Sequence, residues 1–273
     1  MQPIDYARAY RWPDLETNGA KVHVISGGIT NSLSKVTNMK TGESVLVRLF
    51  GEGTDILINR ERDNAIFSNM SRLGYGPKLF GEFAEGRVEQ FFDHSRPLEP
   101  AEMSLRAPLD LAGDLARAIA WHHKLEGVEI RPKPWNPVLW DTLRRWADMV
   151  GSGQGDVEWL ERALASHSLK AGETQDSAKN KAILLCNSVV YCHNDLLSGN
   201  LLLVTPPGAL PRLQLIDYEY AAPNFLAYDI ANFFCEHCGF LPFDFDETFP
   251  SEEKQRYFLN ACALVFIIPL CKS

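Results

Sequence analysis

Positive charge is scarce in this chain. Its 27 Lys and Arg stand against 35 Asp and Glu, a formal net charge of −8. That balance excludes a nucleic-acid binder relying on bulk positive charge and suits a cationic small-molecule substrate. Cysteine is sparse too: six Cys in 273 residues make no small-scaffold disulfide framework and fit a reducing compartment. The start, Met1-Gln-Pro-Ile-Asp-Tyr6, lacks the basic flank and apolar core of a secretory signal. The longest apolar run near the C-terminus, Ala261 to Cys271, is shorter than the roughly 20 residues that span a bilayer. No transmembrane segment is expected, and a cytoplasmic protein is the default. No internal repeat or heptad array is visible. Neither G-x-x-x-x-G-K-[ST] nor G-x-G-x-x-G occurs, so the P-loop and dinucleotide-binding readings fall away. Cys235-Glu-His-Cys238 has no second pair at finger spacing; structural zinc takes four ligands, so buried helix cysteines are the better reading.

What is present is an ordinary globular composition, 45% hydrophobic and 23% charged, enough for one large domain or two lobes. A short helix is expected in residues 1–20. Val22–Ile25, Leu33–Val36 and Ser44–Phe50 read as strands that can form an antiparallel meander. The apolar spacing between Asp55 and Leu73 predicts an amphipathic helix, stopped by Gly74 and Gly76. Pro77 to Phe83 and Arg87 to Phe92 then predict a hairpin. From Pro97 the pattern turns helical: Leu109, Leu111, Leu115, Ile119, His122 and Leu125 recur at helical spacing, Val138–Val150 follows, and Asp156–Ala165 reads as a helix with an Asp cap. Ser166 to Lys181 reads as a polar loop. The expected fold is α+β and two-lobed, protein-kinase-like: a small antiparallel β lobe with one helix over 1–92, and a larger helical lobe over 93–273.

Inside the second lobe lies Tyr191-Cys-His-Asn-Asp-Leu-Leu-Ser-Gly-Asn200, a polar turn between apolar runs, and after a Pro-Pro-Gly turn a second apolar run ends at Asp217. His193, Asp195 and Asn200 match the H-x-D-x-x-x-x-N spacing of a kinase catalytic loop, and Asp217 falls where a metal-binding Asp would follow. Phosphoryl transfer needs a group that orients and deprotonates the acceptor hydroxyl, for which Asp195 is the candidate. It also needs hard oxygen ligands for Mg²⁺, for which Asn200 and Asp217 are candidates, with Glu219 as a third acid. Arg48, in the middle of an apolar strand, is placed like the cation that holds nucleotide phosphates, with Glu61 on the next helix as its partner; the competing reading is an edge-strand Arg facing solvent. The turn at Gly27-Gly28 offers backbone N–H groups to phosphate oxygens, or is a plain hairpin turn. His193 is given a scaffolding part, and His122-His123 core packing. Tyr228–Glu236 reads as a helix whose first-turn Asp229 reaches back to the catalytic loop, with Glu236 on the same side to meet a cationic substrate.

These residues resemble the choline/ethanolamine kinases, which share a kinase-like two-lobed fold with aminoglycoside phosphotransferases. The resemblance rests on Gly27–Asn31 with Val45–Gly51, on Gly76–Gly81 through Gly86–Phe91, and on His193–Asn200 with Ile216–Tyr220 and Asp229–Glu236. It implies ATP- and Mg²⁺-dependent phosphorylation of an amino alcohol feeding phosphatidylethanolamine or phosphatidylcholine synthesis. It also implies that the nucleotide is held by Arg48, the loop containing Gly28, Thr30 and Asn31, and the segment around Gln90. Tyr220 matches a substrate-facing family position. Leu197 stands where choline kinases tend to have Gln, so His193-Asn-Asp-Leu-Leu197 is similar to the ethanolamine branch, with choline as the alternative substrate. Family members continue beyond the Glu236 helix, whereas this sequence stops at Ser273, which implies a shortened chain with apolar surface exposed at its end. A second reading is therefore a catalytically weak isoform that binds nucleotide, or pairs with itself or with a full-length chain.

Overall fold

The structure, a computed structural model, describes residues 1–25, 31–51, 53–54, 58–125, 135–149, 151, 155, 157–160, 162 and 184–267. Gly28 and Thr30, the polar stretch 166–181 and most of the helix expected over 156–165 lie outside them. Contacts divide the chain into two compact units, Met1–Glu99 with Ser198–Tyr220, and Pro100–Leu197 with Ala221–Ser273.

In the first unit, helix α1 (Pro3–Tyr10) precedes a five-stranded antiparallel sheet of β1 (Ala20–Ile25), β2 (Asn31–Asn38), β3 (Ser44–Phe50), β4 (Leu79–Phe83) and β5 (Gly86–Gln90), in the order β1-β2-β3-β5-β4. The expected meander and hairpin are both there. Alternation along the strands gives the sheet two different faces. Val36, Val45, Val47 and Val88 join Ile4, Tyr6, Ala7 and Leu15 in an apolar core beneath α1, and Tyr6 stacks on Phe83 with ring centroids 4.0 Å apart. Each buried Val, Ile or Leu side chain of this core contributes about 1.5–3 kcal/mol. The intervening positions of β3 and β5 carry Arg48, Arg87 and Glu89, all buried.

Helix α2 (Arg60–Arg72) lies between β3 and β4 in sequence. It starts later than its apolar spacing predicts, because Asn59 caps it by accepting from the Arg62 N–H at 2.9 Å. The same unit holds a three-stranded antiparallel sheet of β6 (Ser95–Pro97), β8 (Leu201–Val204) and β9 (Arg212–Leu215).

The second unit is mainly helical: α3 (Leu111–His123), α4 (Leu139–Met149), α5 (Leu226–Cys235), the short α6 (Phe245–Thr248) and α7 (Glu252–Ile267), with β7 (Val189–Cys192) pairing antiparallel to β10 (Ala222–Phe225). Asp110 caps α3 by accepting from Gly113 N–H at 3.0 Å and also accepts from the Tyr257 hydroxyl of α7 at 2.8 Å. Phe258, Ala261, Cys262 and Val265 form the buried side of α7, while Leu259 and Leu264 stay exposed. Among the described residues no helix is long and apolar enough to cross a membrane.

Candidate active site

The first unit assembles one set of groups. β8 and β9 pair with Leu201 opposite Leu215, and the ladder runs one step further, where Ile216 N–H donates to the Asn200 carbonyl at 3.0 Å. That step brings Asn200 next to Asp217 at the end of the hairpin. Asp217 has φ 64°, a left-handed conformation that Asp tolerates better than most residues.

Arg48 donates from Nη1 to Asp217 Oδ1 at 3.3 Å and from Nε to Glu89 Oε1 at 3.1 Å. Only 4% of Arg48 is exposed, which removes the solvent-facing reading. Burial alone would lower its pKa, but the Asp217 and Glu89 carboxylates more than offset this and raise it.

The expected Arg48–Glu61 pair is not formed. Glu61 is exposed, and the α2 carboxylate on the packed side is Asp63, which accepts from Arg87 Nη1 at 3.0 Å. Helical geometry explains the difference: residues two apart face nearly opposite ways, and the side of α2 that buries Asp63, Ile66, Phe67 and Met70 leaves Glu61 to solvent. Glu219 is committed through Oε2 to Asn31 Nδ2 at 3.2 Å and to Arg60 Nη1 at 3.4 Å. Gln90 accepts from Lys78 N–H at 3.2 Å through its side chain, and Tyr220 is half-buried.

These groups fit a divalent cation. Asn200 and Asp217 offer oxygen donors from neighbouring positions at the end of the β8–β9 ladder, and among the described residues four carboxylates (Asp63, Glu89, Asp217, Glu219) meet three guanidiniums (Arg48, Arg60, Arg87), an acidic balance suited to a cation.

The second unit holds the catalytic-loop candidate. Asp229, fully buried in the first turn of α5, accepts from His193 N–H at 2.9 Å, from Asn194 N–H at 2.7 Å and from His123 Nε2 at 2.8 Å. Burial raises its pKa, but the hydrogen bond and charge of His123 outweigh that and hold the carboxyl below its ordinary value. The reach from Asp229 back to the loop is thus as the sequence predicts. His193 is buried beside His122, with ring centroids 5.8 Å apart.

Two residues beyond Asn194, Leu196 N–H donates to Asn232 Oδ1 at 2.7 Å, and Asn232 Nδ2 donates to Glu236 Oε1 at 3.1 Å. Asp195 is therefore flanked by two anchored amides, and the second anchor also holds Glu236. Burial raises the Glu236 pKa, with the Asn232 bond opposing it. Burial also raises the Tyr228 pKa, and Asp195 and Glu236 are among the carboxylates that push it further. Cys192, within 4.8 Å of His123 and Asp229 ligand atoms, stays a thiol: burial raises its pKa, and Sγ donates to the Asn224 and Phe225 carbonyls.

Residues 22–262 match the family described as choline/ethanolamine kinase. The chain belongs to the choline/ethanolamine kinase family. It is 34% identical to a probable ethanolamine kinase of Arabidopsis thaliana over 91% of this chain and 64% of that one. It is 32% identical to probable choline kinase 1 of the same plant, over 91% of this chain and 71% of that one. Among solved structures, the Plasmodium vivax ethanolamine kinase superposes with a TM-score of 0.70 at 26% identity, covering 95% of this chain and 72% of that one. The α+β, protein-kinase-like architecture is thereby established for this kinase-family chain. Sequence reasoning missed Glu89, Asp63, Asn232 and the part of His123. The Arg87-Val88-Glu89 alternation carries a signal for the first, since it places two charges on the face opposite a core valine; Asn232, an i,i+4 neighbour of Glu236, carries one for the third.

Proposed function

We propose that this chain transfers the γ-phosphoryl group of ATP to the hydroxyl of ethanolamine, giving phosphoethanolamine, the first step toward phosphatidylethanolamine. The observation that carries the reading is the Leu196–Asn232–Glu236 relay, which ties a second carboxylate to the backbone next to Asp195. An amino alcohol presents a hydroxyl and an ammonium group, and two carboxylates of separate duty suit it. Asp195 orients the hydroxyl and takes its proton as the phosphoryl group is transferred. Glu236 pairs with the ammonium group, and Tyr220 lines the same substrate. Arg48 and Asn31, with Gly28 and Thr30, hold the nucleotide phosphates, and Gln90 contacts the nucleotide. Asn200 and Asp217 would hold Mg²⁺, with Glu219 supporting them; when bound, the metal neutralises phosphate charge. Glu61 keeps no part in this reading. In this reading the 1–92 segment is the nucleotide-binding β lobe, and 93–273 the larger lobe that carries the catalytic and metal loops, of which Ser198–Tyr220 packs with the first compact unit.

Ethanolamine is favoured over choline because a primary ammonium donates hydrogen bonds to carboxylates, whereas a quaternary one depends on aromatic faces, and Leu197 departs from the choline-type Gln. The reading places the enzyme in the cytoplasm, in keeping with free thiols at all five cysteines among the described residues.

The Asp195→Asn variant is expected to fold as the wild type does and to lose about 10²–10⁴-fold in kcat, the usual worth of a general base. Steady-state kinetics beside a thermal melt measure this. Full activity in that variant would remove Asp195 from the mechanism. Stabilisation by MgATP without turnover in the wild type would favour a nucleotide-binding or regulatory isoform.

A further inference from the structure

We infer that Glu89 is the positioning residue that holds Arg48 for the nucleotide phosphates, an inference that rests on the phosphate-binding part proposed above for Arg48. The register of β3 and β5 sets Arg48 directly opposite Arg87. Both guanidiniums are buried, Arg87 completely, and like charges directly opposite each other in a sheet are unfavourable. Glu89, 2% exposed, stands between them and divides its carboxylate, accepting Arg48 Nε on Oε1 at 3.1 Å and Arg87 Nε on Oε2 at 3.2 Å.

The contacts continue as a ring that is closed through the backbone between Asp217 and Glu219. Arg87 meets Asp63 at 3.0 Å, Asp63 meets Arg60 at 3.5 Å, and Arg60 meets Glu219 at 3.4 Å. Glu219 lies two residues from Asp217, which returns to Arg48 at 3.3 Å. Within that ring Arg48 uses Nε and Nη1, and its Nη2 makes no hydrogen bond among the described residues. A guanidinium pinned at two nitrogens has its plane fixed, so its remaining donors are presented in one orientation. Asp217 alone would be an inconstant partner, since the same carboxylate is the proposed metal ligand. Glu89 has no such second duty and keeps Arg48 oriented while Asp217 is engaged elsewhere. The family of protein kinases gives this task to a helix glutamate; here the strand supplies the carboxylate, and α2 contributes Asp63 to the second arginine.

Calorimetric titration of the full chain with MgATP tests this, using the wild type, Arg48→Ala, Glu89→Gln and Glu89→Asp. Glutamine offers one acceptor oxygen and turns a donor toward the other arginine, so E89Q is expected to weaken MgATP binding about tenfold, the order of one charge-assisted hydrogen bond. E89D keeps the charge and is expected to fall between wild type and E89Q, with KM for the amino alcohol unchanged in both. A residue that served only stability would lower the melting temperature and leave the affinity of the folded fraction as it was; that result overturns the inference. Should E89Q fail to fold, wild-type affinity in E89D overturns it equally. If R48A binds MgATP like the wild type, the phosphate-binding reading itself fails. If R48A is weakened while the Glu89 variants are not, the inference on Glu89 fails alone.

Discussion

His122 and His123 are adjacent in sequence and differently engaged in the structure. His123 shares a hydrogen bond with Asp229, which anchors the candidate catalytic loop. His122 is buried, and burial first, then the neighbouring His193, lowers its pKa from 6.5 to about 3. An unfolded chain protonates this ring near pH 6.5 while the folded one keeps it neutral until about pH 3, so the unfolded state binds more protons between those values. Stability is therefore predicted to be fully present above pH 6.5 and to fall as the pH drops toward 3, with a contribution of up to about 1.4 kcal/mol per pH unit. Asp229, whose pKa is lowered, adds to the loss at the acid end of that range. Urea unfolding from pH 7 to pH 4 measures the slope, and His122→Leu should flatten it; an unchanged slope in that variant would place the linkage elsewhere. Core burial of both histidines was legible from their place in an apolar helical pattern. The bond from His123 to Asp229 was not, because a contact across 106 residues leaves no local trace.

At the scale of elements, β3 and β5 decide the geometry of the proposed phosphate site. Their closeness depends on Gly86: a Cβ built there would lie 1.9 Å from the Arg48 carbonyl oxygen. Gly86→Ala is predicted to push the two strands apart at Arg48 and to cost about 1–3 kcal/mol, as overpacking does, with weaker MgATP binding as a second consequence. Denaturant unfolding and a nucleotide titration check the two effects together; wild-type values in both would show that the strands accommodate the methyl group.

Strand β3 was readable over its full length because Val45, Leu46 and Val47 leave no helical or turn alternative, and the β4–β5 hairpin was readable from its Gly-containing turn. The partner of Arg48 was not. Choosing between Glu61, Asp63 and Glu89 requires knowing which side of α2 packs and which strand lies beside β3, and the order β3-β5-β4 is a tertiary fact. The candidate catalytic loop falls between these cases. Its His-x-Asp-x₄-Asn spacing and the Asp229 anchor were legible, while the Asn232 relay that joins the loop to Glu236 appears only when β7 and α5 are set against each other.

Across the whole molecule, the acidic balance, the kinase-type spacing and the match over residues 22–262 converge on a phosphotransferase family, and the chain spans 64% of the length of the plant protein described as a probable ethanolamine kinase to which it is similar. Composition identified what the chain could not be; the motif identified the chemistry. In the proposed reading, substrate choice depends on a few side chains around the amino group, Leu197 and Glu236 foremost. The most direct measurement is the rate of ATP-dependent phosphorylation by this chain across ethanolamine, its N-methylated forms and choline. The account predicts phosphoethanolamine formation, with kcat/KM for ethanolamine exceeding that for choline by about tenfold or more, the worth of a charge-assisted hydrogen bond that choline cannot donate. Higher kcat/KM for choline, or no phosphorylated product from any amino alcohol while MgATP still binds, would contradict it.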